Sequence, residues 1–112
     1  MKIIFTAKGN DWNSLIDDRF GRADKLVIFD EENNTFEAIE NDTESMEHGA
    51  GLQTIKKVID LGANVVITGN GAGGKITDVA KMSDIKFYIG ANGMTLKEAY
   101  EAYKEGKLES QF

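Results

Sequence analysis

"NVVITGNGAGGKITD" (residues 64–78) decides how this chain is read. It opens on an uninterrupted β-branched and apolar run, "NVVIT" (64–68), the pattern of a parallel strand buried on both faces. Four glycines follow. Helical spacing then takes over, with Ile76, Val79, Ala80 and Met82 sharing one side. Strand, glycine loop and helix in that order make one βα unit, and the sequence on both sides extends it. Upstream, Leu52, Ile55, Val58 and Ile59 fall on one helical face, with Lys56, Lys57 and Asp60 opposite and Gly62 as the stop. Downstream, "IKFYI" (85–89) reads as a strand. A last helix is announced by Thr95 and Glu98, spaced as a capping box, with Leu96, Ala99, Tyr100 and Tyr103 inward and Gly106 at its end.

Nearer the N-terminus the period is that of strands. "KIIFTA" (2–7) is a short buried run, and a polar loop continues to Asp18. "KLVIFD" (25–30) and "TFEAIE" (35–40) flank the turn residues "EENN" (31–34), which predicts a hairpin. The polar loop from Asn41 to Glu47 is expected to stay outside the core. The order is therefore β-β-β-α-β-α-β-α. Right-handed βα connections after an antiparallel start predict a single α/β domain over residues 1–112. Its five-stranded mixed sheet, in the ribonuclease H-like order 3-2-1-4-5, carries about three helices.

Composition narrows the function. The chain has 112 residues, 41% hydrophobic and 29% charged, as in ordinary globular proteins. It has no cysteine, which excludes disulfides and thiolate metal sites and suits a cytoplasmic protein. The start turns polar after seven residues, so no secretory signal is expected. No apolar run is long enough to span a membrane. A net charge of −6 disfavours nonspecific nucleic-acid binding. Acid collects in "DEEN" (30–33) and "ENDTESMEH" (40–48), where it reads as solvated surface. The two arginines of the chain, Arg19 and Arg22, both lie in "RFGR".

In the expected sheet, the segments "KGNDW", "RFGR", "EHGAG", "GNGAGGK" and "GANGMT" gather at one edge, beyond the carboxyl ends of the strands, where open α/β sheets bind ligands. They hold ten of the twelve glycines. Helices starting near Gly51 and Gly73 would offer unpaired backbone N–H groups there. Arg19, Arg22, Lys75 and Lys8 would add charge, making an anion site. The competing reading has the glycines only forming turns and the arginines pairing with Asp17, Asp18 or Asp24.

The glycine loop is not a P-loop. Gly69, Gly74 and Lys75 fit the spacing, but Ile76 stands where the magnesium-binding Ser or Thr belongs, and Thr77 comes one residue late. The loop also follows the fourth strand, and the fifth ends without a carboxylate. Ribonuclease H catalysis needs acids converging on the sheet centre, and "KIIFTA" has none. No nucleophile elbow is present. The lone histidine, His48, is a candidate metal ligand; with Met46 or Met94 it cannot close a zinc site, but it can hold a preassembled cluster. Trp12 reads as a half-buried loop aromatic.

Taken together, "RFGRADKLVIFD", "HGAG" opening a helix, "LGANVVITGNGAGGK" and the terminal "EAYEAYKEGKLE" resemble the dinitrogenase iron–molybdenum cofactor biosynthesis family, which includes nitrogenase cofactor carrier and insertion proteins and the C-terminal domain of the cofactor synthase. The resemblance runs along nearly the whole chain. It implies noncatalytic binding of an anionic iron–sulfur cluster or iron–molybdenum cofactor, with a cluster-assembly or acceptor protein as partner. By position, the residues implied are Arg19, Phe20, Gly21 and Arg22, then His48 and Gly49, then Gly69, Asn70, Gly71, Gly73, Gly74 and Lys75, with His48 as metal ligand. The expectation is a cluster carrier rather than an enzyme. The alternative is a regulatory module that binds a small anion or nucleotide at the glycine loop.

Overall fold

The expected sheet forms, with one strand added. The computed structural model describes residues 1–112. Its elements are β1 (Lys2–Ala7), β2 (Lys25–Asp30), β3 (Thr35–Glu40), α1 (Ala50–Asp60), β4 (Val65–Ile67), α2 (Gly74–Met82), β5 (Lys86–Ile89), α3 (Leu96–Lys104) and β6 (Glu109–Ser110). The sheet order is β3-β2-β1-β4-β5-β6, the ribonuclease H-like order with β6 on the outer edge. β1 lies antiparallel to β2, with Ile4 opposite Ile28, and parallel to β4, with Ile4 beside Val66. β5 continues the parallel set, and β6 pairs back against it, Tyr88 opposite Ser110.

Alternation along the strands divides the core between the two faces of the sheet. Ile3, Phe5, Val27, Phe29, Val65 and Ile67 pack with Leu96, Ala99 and Ala102 of α3. Ile4, Leu26, Ile28, Val66 and Phe87 pack with Ile55 and Val58 of α1 and with Ile76 and Ala80 of α2. Burying each large apolar side chain contributes roughly 1.5–3 kcal/mol, so these two layers are what fix the register. Trp12 joins the α3 layer, its ring 5.8 Å from Phe5, 5.0 Å from Phe29 and 5.7 Å from Tyr100.

Four local expectations are corrected. The buried side of α1 is Ala50, Thr54, Ile55 and Val58, while Leu52 is 49% and Ile59 37% exposed. The helix is rotated so that its small residues seat on the 19–22 loop. In α2, Met82 is 87% exposed and Thr77 takes the buried place, because the chain turns away at Ser83. In α3, Ala102 is buried and Tyr100 and Tyr103 are half-buried rim residues. Asn41 and Thr43, expected in a solvated loop, are buried, and the reason lies at the site below. The helix stops are as expected: Gly62 and Gly106 take φ of 75° and 72°, the left-handed region where a glycine has no Cβ penalty. No helix is long and apolar enough to cross a membrane.

Candidate functional site

The 17–24 loop is tied down at two carbonyl or carboxylate centres. Asp17 is almost completely buried and accepts hydrogen bonds from the Arg19 N–H (3.1 Å), Arg19 Nε (3.1 Å), Arg19 NH2 (3.0 Å) and the Asp24 N–H (3.1 Å). Burial would raise its pKa, but the Arg19 and Asp24 donors outweigh it and hold the carboxyl below the usual aspartate range. Arg19 is thus committed to Asp17, with Asp24 3.7 Å away. The second centre is the Gly21 carbonyl. It accepts from Asn41 Nδ2 (3.2 Å) and Thr43 Oγ1 (2.6 Å), and Thr54, which donates to the Ala50 carbonyl (2.8 Å) and accepts from Asn41 Nδ2 (3.1 Å), packs beside it, all three side chains buried. Burying these polar groups is tolerable only because each is bonded, and no buried side-chain polar atom lacks a partner.

This knot presses the 19–22 loop onto the start of α1. A Cβ on Gly21 would stand 2.8 Å from the Gly51 nitrogen and 2.9 Å from its Cα, so the close approach requires glycine. Phe20, expected among the ligand-binding residues, points into the core against Phe87, 5.0 Å between ring centroids. Arg22 carries no ion pair within 4 Å; its NH1 donates to the Thr43 carbonyl (2.8 Å) and its NH2 to the Glu47 carbonyl (3.4 Å). It holds the loop that carries His48, which is itself exposed. Lys8, Arg22 and Lys25 also line a cleft of about 270 Å³ together with Asp24, Glu40, Asp42 and Glu44, a mixed-charge surface.

The glycine loop reaches the same place from β4. Gly69 packs where a Cβ would lie 2.7 Å from both Asp18 Cα and Asn92 Nδ2, and the Asn70 N–H donates to the Asp18 carbonyl (2.8 Å). Asn70 Oδ1 accepts from Asn92 Nδ2 (2.9 Å). Gly71 turns at φ 87°, and Gly73 and Gly74 lead into α2 with no atom within 4 Å of where a Cβ would be. Lys75 is exposed in the first turn. Thr77 Oγ1 donates to the Gly74 carbonyl (2.9 Å) and is turned inward, which leaves no hydroxyl for a P-loop metal. The two helix starts touch: a Cβ on Gly51 would lie 3.2 Å from Ile76 Cδ1.

Both starts lack side-chain caps, although at α1 Ala50 is buried and Gly21 packs against the Gly51 nitrogen. The N-caps are Gly49 and Gly73, and neither first turn carries an acid. The N–H groups of Ala50, Gly51 and Leu52 in α1, and of Gly74 and Lys75 in α2, make no hydrogen bond within the chain. Adjacent helix N-termini, each with roughly half a positive charge and donors unpaired within the chain, put positive potential on one surface of a chain of net charge −6. No group of three or more His, Asp or Glu side chains is placed to hold a metal ion. An anion seated here must meet backbone donors, Lys75 and the 41–49 loop with His48.

Of the residues expected at the site, His48, Gly49, Gly73, Gly74 and Lys75 lie exposed on this edge, and Asn70 and Gly71 on the adjoining loop. Arg22 braces the edge from behind. Phe20, Gly21, Gly69 and Arg19 have structural roles. Asp17 enters the sequence reading as a possible arginine partner, and that pairing with Arg19 holds. Sequence reasoning passes over Asn41, Thr43 and Thr54, two polar loop residues and one on α1, and no local signal points to them.

A family model described as dinitrogenase iron-molybdenum cofactor matches residues 1–106. The protein MJ0580 of Methanocaldococcus jannaschii is 33% identical over 100 residues, which cover 87% of this chain and 83% of the relative. The apo form of the orange protein from Desulfovibrio gigas superposes with a TM-score of 0.90 at 29% identity, covering 97% of this chain and 91% of that one. A putative NifB protein from Thermotoga gives 0.81 at 29% identity, over the same shares of both chains.

Proposed function

The chain belongs to the dinitrogenase iron–molybdenum cofactor family, and from that premise we propose that it is a noncatalytic carrier of an anionic metal–sulfur cluster, of the iron–sulfur or iron–molybdenum cofactor kind. The cargo sits against the paired starts of α1 and α2 until an assembly or acceptor protein takes it, in the cytoplasm. The observation that carries this reading is the set of free N–H groups on two touching helix starts, three in α1 and two in α2. A preassembled cluster brings its own bridging sulfurs and a net negative charge, so it needs donors and positive potential more than a full set of protein ligands. His48 supplies one imidazole, and Lys75 a full charge.

Anaerobic titration with a reconstituted iron–sulfur cluster tests this, read by visible absorption and by iron retained after gel filtration. Retention is expected, with an altered spectrum in His48→Ala. An unaltered spectrum removes the imidazole from the ligand set, and no retained iron ends the carrier reading. The same free donors fit a second reading, a module that senses a small anion or nucleotide. Phosphate or nucleotide shifts at the Gly71–Lys75 amides, without cluster retention, would favour it.

A further inference from the structure

Ala72 packs against the α1/α2 core and Gly71 lies beside Ile89, but the segment Gly71–Lys75 is hydrogen-bonded from outside its own helix by a single side chain. Upstream, the last tie is the Asn70 N–H on the Asp18 carbonyl; downstream, Ile76 and Thr77 begin the α2 ladder on the Gly73 carbonyl. Between them stand five residues, three of them glycine, and glycine loses more conformational freedom on ordering than any other residue. Gln111 closes that gap. Its Nε2 donates to the Ala72 carbonyl (2.6 Å), and its Oε1 accepts the Ala72 N–H (3.1 Å), so one amide grips one residue in both directions. Gly71 makes room for the grip, because a Cβ there would fall 2.5 Å from Gln111 Oε1.

The far end of the grip is anchored as well. The Gln111 N–H donates to the Phe87 carbonyl (2.9 Å), continuing the pairing of β6 on β5. The Phe112 ring lies 6.0 Å from that of Phe87, with Lys81 Nζ 5.2 Å from its centroid. Gln111 lies beyond residue 106, where the family match ends.

We infer that Gln111 is a positioning residue for the cargo site: its amide sets the path of the glycine loop and so aims the free N–H groups of Gly74 and Lys75. This rests on the carrier reading for its consequence, though not for the clamp itself. Pre-ordering a flexible loop raises affinity by removing an ordering cost at binding. Losing two hydrogen bonds of ordinary strength corresponds to about a tenfold loss of affinity.

The test compares wild type with Gln111→Met, which keeps the length of the side chain and its packing but makes neither bond, and with Gln111→Ala. In the protein without cargo, amide order parameters and hydrogen exchange at Gly71–Lys75 are read beside thermal stability. Both variants are expected to loosen this segment while α3 amides keep their protection. Titration with a reconstituted iron–sulfur cluster should then weaken about tenfold in both. Unchanged loop amides in Gln111→Met overturn the clamp. Loosened amides with unchanged cluster affinity overturn the positioning role. If wild type itself retains no cluster, the carrier reading fails, and the amide comparison alone decides the clamp.

Discussion

Three helices begin at the same edge of this sheet, and they begin in opposite ways. At α3 every early donor is used: the Leu96 N–H bonds the Ser14 carbonyl (2.9 Å), the Lys97 N–H the Trp12 carbonyl (3.0 Å), and the Glu98 N–H the Thr95 hydroxyl (3.1 Å). Glu98 Oε1 in turn accepts the Thr95 N–H (2.9 Å), completing the capping box. At α1 and α2 the caps are glycine, the first turns hold no acid, and the donors are free. The same chain therefore can cap a helix fully, and does so at α3. Leaving two adjacent starts with glycine caps forgoes only a few tenths of a kcal/mol each, on the order of the Gly-to-Asp difference, a small loss that a ligand completing the caps would offset.

The largest effect should come from disturbing how the open starts are held. Gly21→Ala drives a methyl group into the Gly51 backbone, 2.8 Å from its nitrogen. Backbone cannot swing aside as a side chain can, so a loss of about 3 kcal/mol is expected, read from urea unfolding. A neutral result would mean that the 19–22 loop does not bear on α1 as described.

Next, Gly73→Asp turns an open start into a capped one. Gly73 has φ −70° and ψ 169°, which any residue adopts, and nothing lies within 4 Å of its Cβ position. Stability should rise by a few tenths of a kcal/mol, since Asp caps only slightly better than Gly. Cluster affinity should fall about tenfold or more, because a carboxylate now occupies the positive end of α2. A variant that gains stability and keeps its cargo would separate the anion site from α2.

Thr95→Ala is the control on the closed side. It removes the hydroxyl acceptor of the Glu98 N–H and should cost about 1 kcal/mol, with cluster retention unchanged. Loss of cargo in this variant would erase the distinction between the helix starts.

Half of this contrast is legible in the amino-acid sequence. The Thr95–Glu98 spacing announces the capped start, and the glycines announce the open ones, because both signals are local. The buried strand and the hairpin follow from the β-branched run in "NVVIT" and the turn chemistry of "EENN", which are local too, while the sheet order rests on the right-handed βα connections. What escapes depends on tertiary partners. Leu52 and Ile59 look like core by helical spacing, but the Ala50, Gly51 and Thr54 side is the one that fits against Gly21. Asn41 and Thr43 look solvated because hydropathy carries no record of a distant carbonyl that needs donors. β6 has two paired residues and no apolar pattern, so neither it nor Gln111 leaves a periodic trace. In Arg19 both charge and partner are legible, since the competing reading of an Asp17 pair holds; what is not legible is that Asp17 is buried and binds Arg19 through three donors.

The smallest expected effect separates charge from hydrogen bonding at the closed start. Glu98 has its pKa lowered, chiefly by the hydrogen bond from the Thr95 N–H. A carboxyl whose folded pKa is depressed stabilises the fold above its unfolded value, about 4.3 for a glutamate. That contribution is lost as pH falls through the folded value. Glu98→Gln keeps an oxygen for the Thr95 N–H but removes both the charge facing the helix dipole and the titration. Urea midpoints should therefore show the variant slightly below wild type near neutral pH and level with it at about pH 3. At the α1 start, with no carboxylate in its first turn, protection of the Gln53 amide should not follow this titration. A gap between wild type and Glu98→Gln that is as wide in acid as at neutrality would assign the α3 cap to shape rather than charge. Free helix charge, as what α1 and α2 offer an anion, would then lose its internal reference.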